Sequence, residues 1–164
     1  MKLNKILVGL SMAFMLASAQ NATAGNEERQ FNVSVSITSY CEVGAPNDVD
    51  FSSMSAGQLG DQVQSTSLSV QCNDQSPVTI SLKPSNNNIE GIGQMTSSAH
   101  SQTITYTLSK DQSGFDAWGS GSWAYTPIAD GQENQYPIYV RIPNGELNKP
   151  SGDYTDNVIV SVDF

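Results

Sequence analysis

His100 is the sole histidine of the 164-residue chain, and Cys41 and Cys72 are its only cysteines. A nucleophilic relay needs a base and an orienting acid around the attacking group. Only His100 can serve as an imidazole base here, and it lies in the polar stretch 97–102, where a solvated loop histidine is expected. Two carboxylate pairs, Asp153 with Asp156 and Asp111 with Asp116, have the residue types of glycosidase acid–base chemistry or of a calcium site. The first pair flanks a strand start and the second sits in a loop without an EF-hand pattern, so solvated turn acids are expected at both. Trp118, Trp123 and Tyr125 offer faces on which a sugar can stack. In a sheet protein such rings serve more often as core or edge cover. No GxSxG elbow and no phosphate-cradling glycine loop is present. The residues therefore predict no catalytic site, no cofactor and no metal, and the chain reads as non-enzymatic.

Charge narrows the partners. Seven Lys and Arg stand against sixteen Asp and Glu, a formal net charge of −9. A nucleic-acid binder needs a basic face to neutralise phosphates, and an anionic membrane surface attracts the same basic face. Neither is present. Only 14% of residues are charged, against about 25% in an average soluble protein. About a third are Ser, Thr, Asn or Gln, with 13 Gly and 7 Pro besides. This is the composition of a polar, turn-rich β protein.

Residues 1–24 read as an export signal. Lys2 and Lys5 form a charged start, and residues 6–16 are apolar but too short to span a bilayer. Two small-x-small cleavage sites follow, Ala17-Ser18-Ala19 and Ala22-Thr23-Ala24. The second is preferred because Gln20-Asn21 then forms a polar spacer before the cut. An oxidising compartment pairs the only two cysteines of an exported chain, so a Cys41–Cys72 disulfide is expected. A CxxC redox motif is absent, and one histidine with two cysteines is too few for a metal site. Asn21-Ala22-Thr23 and Asn32-Val33-Ser34 match the glycosylation pattern, a weak signal in any exported chain.

The elements that would position these residues are strands. Apolar residues alternate with polar ones at Phe31, Val33, Val35, Ile37; at Leu68, Val70, Cys72; at Val78, Ile80, Leu82; and at Ile104, Tyr106, Leu108. Ile138, Val140 and Ile142 lie in a further run, and Val158, Val160, Val162 and Phe164 close the chain. Turn clusters separate them: Pro46-Asn47-Asp48, Asn73-Asp74-Gln75, Ser85-Asn86-Asn87-Asn88, Gly119-Ser120-Gly121 and Asn144-Gly145. Residues 111–121 read as a loop. Short strands with one apolar face predict a two-sheet sandwich or a barrel, and a disulfide between an early and a later strand favours the sandwich. The apolar row 31, 33, 35, 37 has two readings. It is either the first strand of its own sandwich or a strip that pairs with a neighbouring subunit, and the pattern alone leaves both open.

In order and spacing, a set of short motifs resembles the spore coat protein U domain family, which includes subunits of archaic, Csu-type chaperone–usher pili. They are the leader Gln30-Phe31-Asn32-Val33-Ser34-Val35-Ser36-Ile37 before Cys41-Glu42-Val43, then Asp50-Phe51, Val70-Gln71-Cys72 and Thr105-Tyr106-Thr107-Leu108. Trp118-Gly119, Tyr139-Val140-Arg141-Ile142-Pro143, and Gly152-Asp153-Tyr154-Thr155-Asp156 with the closing Val160-Ser161-Val162-Asp163-Phe164 complete it. The resemblance covers most of residues 30–164. Ser52 and Val140 depart from it, each standing where the family has a glycine.

The resemblance implies an all-β fold, an incomplete immunoglobulin-like sandwich completed by a donor strand from a neighbouring subunit. It divides the chain into a signal peptide (1–24), a donor segment (25–38) and a pilin domain (39–164). Phe31, Val33, Val35 and Ile37 would be the donor pegs, about 6.7 Å apart along one face. Val158, Val160, Val162 and Phe164 would form a C-terminal strand that buries its apolar face and docks the chaperone through its backbone edge. The implied partners are a periplasmic pilus chaperone, an outer-membrane usher and identical or related subunits, with no nucleic acid and no small-molecule substrate. The implied role is structural, in a fibre of a Gram-negative surface that supports adhesion and biofilm formation. The alternative is a secreted, self-complete sandwich that does not polymerise.

Overall fold

The structure is a computed structural model that describes residues 25–73 and 75–164. The export signal and its cleavage sites lie outside the described residues. Among the described residues no helix is long and apolar enough to cross a membrane. The chain divides into two units, Met1–Ser36 and Ile37–Phe164. In the first, residues 25–36 form no strand, and Phe31, Val33 and Val35 are 84–86% exposed. Arg29 pairs there with Glu27 at 2.7 Å.

The second unit holds all seven strands found among the described residues: β1 (Cys41–Gly44), β2 (Gln62–Cys72), β3 (Thr79–Pro84), β4 (Ile92–Met95), β5 (Ile104–Ser109), β6 (Glu133–Ile142) and β7 (Val158–Asp163). One sheet runs β1-β2-β6-β5-β4 and the other is the pair β3-β7, with every pairing antiparallel. This is an all-β, immunoglobulin-like sandwich whose smaller sheet has two strands. The alternation sets the packing. Leu68, Val70 and Cys72 of β2, Ile80 and Leu82 of β3, and Ile104, Tyr106 and Leu108 of β5 all turn inward into one core. Burying each large apolar side chain contributes about 1.5–3 kcal/mol.

Cys41 and Cys72 are register partners at the β1–β2 pairing and are joined by a disulfide. Asn73 continues this junction upstream. Its amide reaches the Tyr40 carbonyl at 3.0 Å, its side-chain oxygen accepts from the Tyr40 amide at 2.8 Å, and its side-chain nitrogen donates to the Thr38 carbonyl at 3.2 Å. The backbone is thus held from Thr38 onward although no strand is formed there.

Candidate functional site

The site begins with where the backbone groups of β3 and β7 point. Residues of an antiparallel ladder turn their amides and carbonyls alternately to one neighbour and the other. Ile80 of β3 exchanges both bonds with Tyr125, at 2.7 and 2.9 Å, and the Leu82 amide reaches the Gly119 carbonyl at 2.8 Å. Ile80 and Leu82 therefore face away from β7, so Thr79, Ser81 and Lys83 are the residues bonded to it. Their register partners are Asp163, Ser161 and Ile159. It follows that Val158, Val160 and Val162 aim their amides and carbonyls at the far edge of β7, and among the described residues none pairs with that edge. The outer edge of β3, by contrast, is covered by the segment around Gly119 to Pro127.

Beside the open edge lies a cleft of about 1160 Å³. Its apolar walls come from both sheets, including Leu68, Leu82, Tyr106, Leu108, Ile138 and Val160. The polar end is marked by Asp156, whose carboxylate accepts a hydrogen bond from the Tyr106 hydroxyl at 2.7 Å. Burial, reinforced by this carboxylate, pushes the Tyr106 phenol far above its ordinary value, so it stays a neutral donor. The ring packs closely over Gly93, where any added Cβ would fall 2.0 Å from it. A cleft with an apolar floor and an unpaired strand edge beside it can take an extended chain, the edge supplying hydrogen bonds and the floor supplying pockets for alternate side chains.

The C-terminal row needs one correction. Val158, Val160 and Val162 are half-buried against the core, but Phe164 lies beyond the end of β7 and is 58% exposed. The expected burial of the row thus stops at Val162, because the facing strand β3 begins at Thr79, opposite Asp163.

The residues singled out for catalysis are engaged otherwise. His100 is half-buried rather than solvated, and its Nε2 meets the Ser151 carbonyl at 3.0 Å, tying two loops together. Asp111 accepts from the Asp116 amide at 2.6 Å and from the Ser113 hydroxyl. These bonds, the Ser113 hydroxyl foremost, hold its carboxyl below the usual range. Asp116 instead pairs with Lys110 at 2.8 Å. Asp153 and Asp156 do not act as a pair, since Asp156 is occupied by Tyr106 and by the Asn157 amide at 2.8 Å. Among the described residues no cluster of three or more His, Cys, Asp or Glu can hold a metal.

Trp118 is fully buried, with its indole nitrogen donating to the Ile80 carbonyl at 3.0 Å and its ring edge-on to Tyr125 at 5.6 Å. Gly119 lets this segment pass the Ile89 carbonyl, which an added Cβ would approach to 2.0 Å. The three aromatics form no shared exposed platform, since Trp118 is core. Arg141 donates to the Ser113 carbonyl at 2.6 Å and pairs with Asp61, whose other oxygen accepts the Asn144 amide at 2.8 Å. This clamp joins the start of β2, the end of β6 and the loop 111–117.

Both glycine departures can now be placed. Val140 sits in regular strand β6 and lines the cleft. Ser52 has φ of 58°, the left-handed region in which a glycine is unstrained, and its amide bonds the Asp50 carboxylate at 2.7 Å.

A search of curated proteins gives no match. Among solved structures, one similar chain is from the CsuC–CsuE chaperone–tip adhesion subunit pre-assembly complex of archaic chaperone-usher Csu pili of Acinetobacter baumannii. It is 25% identical with a TM-score of 0.56, over 78% of this chain and 40% of that one. A more distant one is from a chaperone–tip adhesin complex described as vital for synergistic activation of CFA/I fimbriae biogenesis. It is 17% identical with a TM-score of 0.41, over 74% of this chain and 40% of that one. The chain therefore spans about two-fifths of the length of each. The Spore Coat Protein U domain profile matches residues 27–161, nearly the whole described chain. The chain belongs to the Spore Coat Protein U domain family.

Proposed function

We propose that the protein is a structural subunit of a chaperone–usher type surface pilus that polymerises by donor-strand exchange. In this reading Phe31, Val33, Val35 and Ile37 of one copy enter the cleft of the next. The carrying observation is the unpaired edge of β7 beside a cleft with an apolar floor. An open edge of this kind is an aggregation hazard unless covered. A periplasmic chaperone would cover it first, docking on the outward amides and carbonyls of Val158, Val160 and Val162. An outer-membrane usher would then exchange the chaperone for the next subunit. Head-to-tail contacts of this type build an open filament rather than a ring. The Csu likeness and the family match support such partners, and with them export to the periplasm and cell surface of a Gram-negative bacterium. Adhesion and biofilm formation would be outputs of the assembled fibre. The family and the site both speak for a structural role rather than an enzymatic one.

Removal of residues 25–38, with the export signal kept, tests the proposal. The shortened subunit should still be recovered with its co-expressed chaperone on size exclusion, yet form no fibres by electron microscopy. Normal fibres from the shortened subunit would refute it.

A further inference from the structure

The cleft adjoins the open edge of β7, yet its floor is covered. Leu68, Leu82, Tyr106, Leu108, Ile138 and Ile142 all line it and are each at most 4% exposed. Something covers them, and residues 45–56 line the same cleft from β1 onward. Phe51 and Met54 of this stretch pack against the core while remaining partly exposed.

The backbone of the stretch is held at its ends only. Upstream, β1 is joined to β2 by the Cys41–Cys72 disulfide. Downstream, the Gly57 amide bonds the Leu147 carbonyl at 2.9 Å and the Gly60 amide bonds the Asn144 side chain at 2.9 Å. Between these anchors, residues 45–54 make no backbone–backbone hydrogen bond among the described residues. Pro46 has no amide hydrogen to extend the β1 ladder. Ser52, between the two apolar side chains, holds a left-handed backbone. A segment fixed by two side chains and no ladder belongs to the low-stability end of a fold.

We infer that residues 45–56 are a displaceable strap, whose Phe51 and Met54 plug the cleft until the donor segment of a second copy takes it. The inference rests on the proposed strand exchange and adds a gate to it. A strand can enter only from molecules whose strap is open, so the strap lowers the competent fraction and slows uptake. Once the strand is in place, the plugging side chains are no longer needed to cover the core.

The test uses the full chain carrying Val35→Asp, so that its own segment does not compete. The probe is a fluorescently labelled synthetic peptide of residues 25–38, with uptake followed by anisotropy. Adding Phe51→Ala or Met54→Ala should speed uptake by about tenfold, and the peptide-filled variants should melt together with the peptide-filled parent. Unchanged or slower uptake overturns the strap. So does a filled Phe51→Ala form destabilised as much as the unfilled one, since Phe51 is then ordinary core. Should the alanine variants not fold, peroxide oxidation of Met54 in the parent decides, since Met54 is packed against the core. Peptide binding should make Met54 oxidise faster, and an unaltered or slower oxidation overturns the inference. Peptide uptake with unaltered rates overturns the strap alone, whereas no uptake by the parent overturns strand filling and the strap with it.

Discussion

A charge placed on the donor row should act by parity. In an extended segment, successive side chains point to opposite faces. Val35 belongs to the row with Phe31, Val33 and Ile37, and Ser34 to the opposite row. The row side chains are 84–86% exposed in the free segment, so nearly their whole apolar surface is available to the cleft. Full burial contributes about 1.5–3 kcal/mol for each, before the cost of ordering the segment. Val35→Asp forfeits one such contribution and adds the cost of carrying an unpaired carboxyl into an apolar site, at least about 2 kcal/mol even if it takes up a proton. Together these amount to about 4 kcal/mol, or roughly a thousandfold in occupancy. Ser34→Asp keeps its charge in water and should change occupancy by less than about threefold. The assay is chaperone co-expression followed by fibre length measurement in electron micrographs, with the chaperone-bound yield as the folding control. Val35→Asp should give normal chaperone-bound subunit and no fibres, and Ser34→Asp should give both. Equal losses from the two variants would refute the alternation argument, and loss of folded Val35→Asp subunit would make the segment a strand of its own sandwich.

Two further predictions concern the body of the protein. Cys41→Ser removes a crosslink between residues 31 apart in sequence, worth about 3–4 kcal/mol in the chain-entropy picture. The variant should denature at clearly lower urea than the oxidised parent, and the unreduced parent should weigh two hydrogens less than the reduced one by mass spectrometry. The Arg141–Asp61 clamp should fade in acid. The Arg141 bond and the Asn144 amide hold the Asp61 carboxyl below its ordinary 3.8. A depressed folded value means the contribution is complete above 3.8 and is lost as pH falls through the lower folded value. Asp61→Asn should therefore show less difference from the parent at pH 2 than at pH 7 in matched urea titrations.

How far the fold was legible follows from which patterns were long enough to read. The alternations at Leu68, Ile80, Tyr106, Ile138 and Val160 mark β2, β3, β5, β6 and β7, because each strand has one buried face and at least six residues. β1 and β4 have four residues each, and β4 is interrupted by Gly93, so neither offers a period to count. The cysteine pairing was legible from the count of two in a chain read as exported. The open edge of β7 was implied by the family resemblance alone, because in the residues it depends on the phase of the β3–β7 ladder and on Tyr125 occupying Ile80. Phe51 and Met54 line the cleft from a stretch without periodicity, and only Asp50-Phe51 was marked, as a motif rather than as a wall. Trp118 illustrates the reverse case. As a residue type it fits a sugar platform, and only its burial and its bond to the Ile80 carbonyl make it core.

The central claim is that β7 keeps an edge free for another strand. Residue-resolved amide hydrogen exchange reads that edge directly. In the full chain carrying Val35→Asp, the Ile159, Ser161 and Asp163 amides, bonded to β3, should exchange slowly, while those of Val158, Val160 and Val162 should exchange fast. On saturation with a synthetic peptide of residues 25–38 the three valine amides should become as slow as their neighbours. Valine amides that are slow before the peptide is added, or still fast after it is bound, would contradict the account.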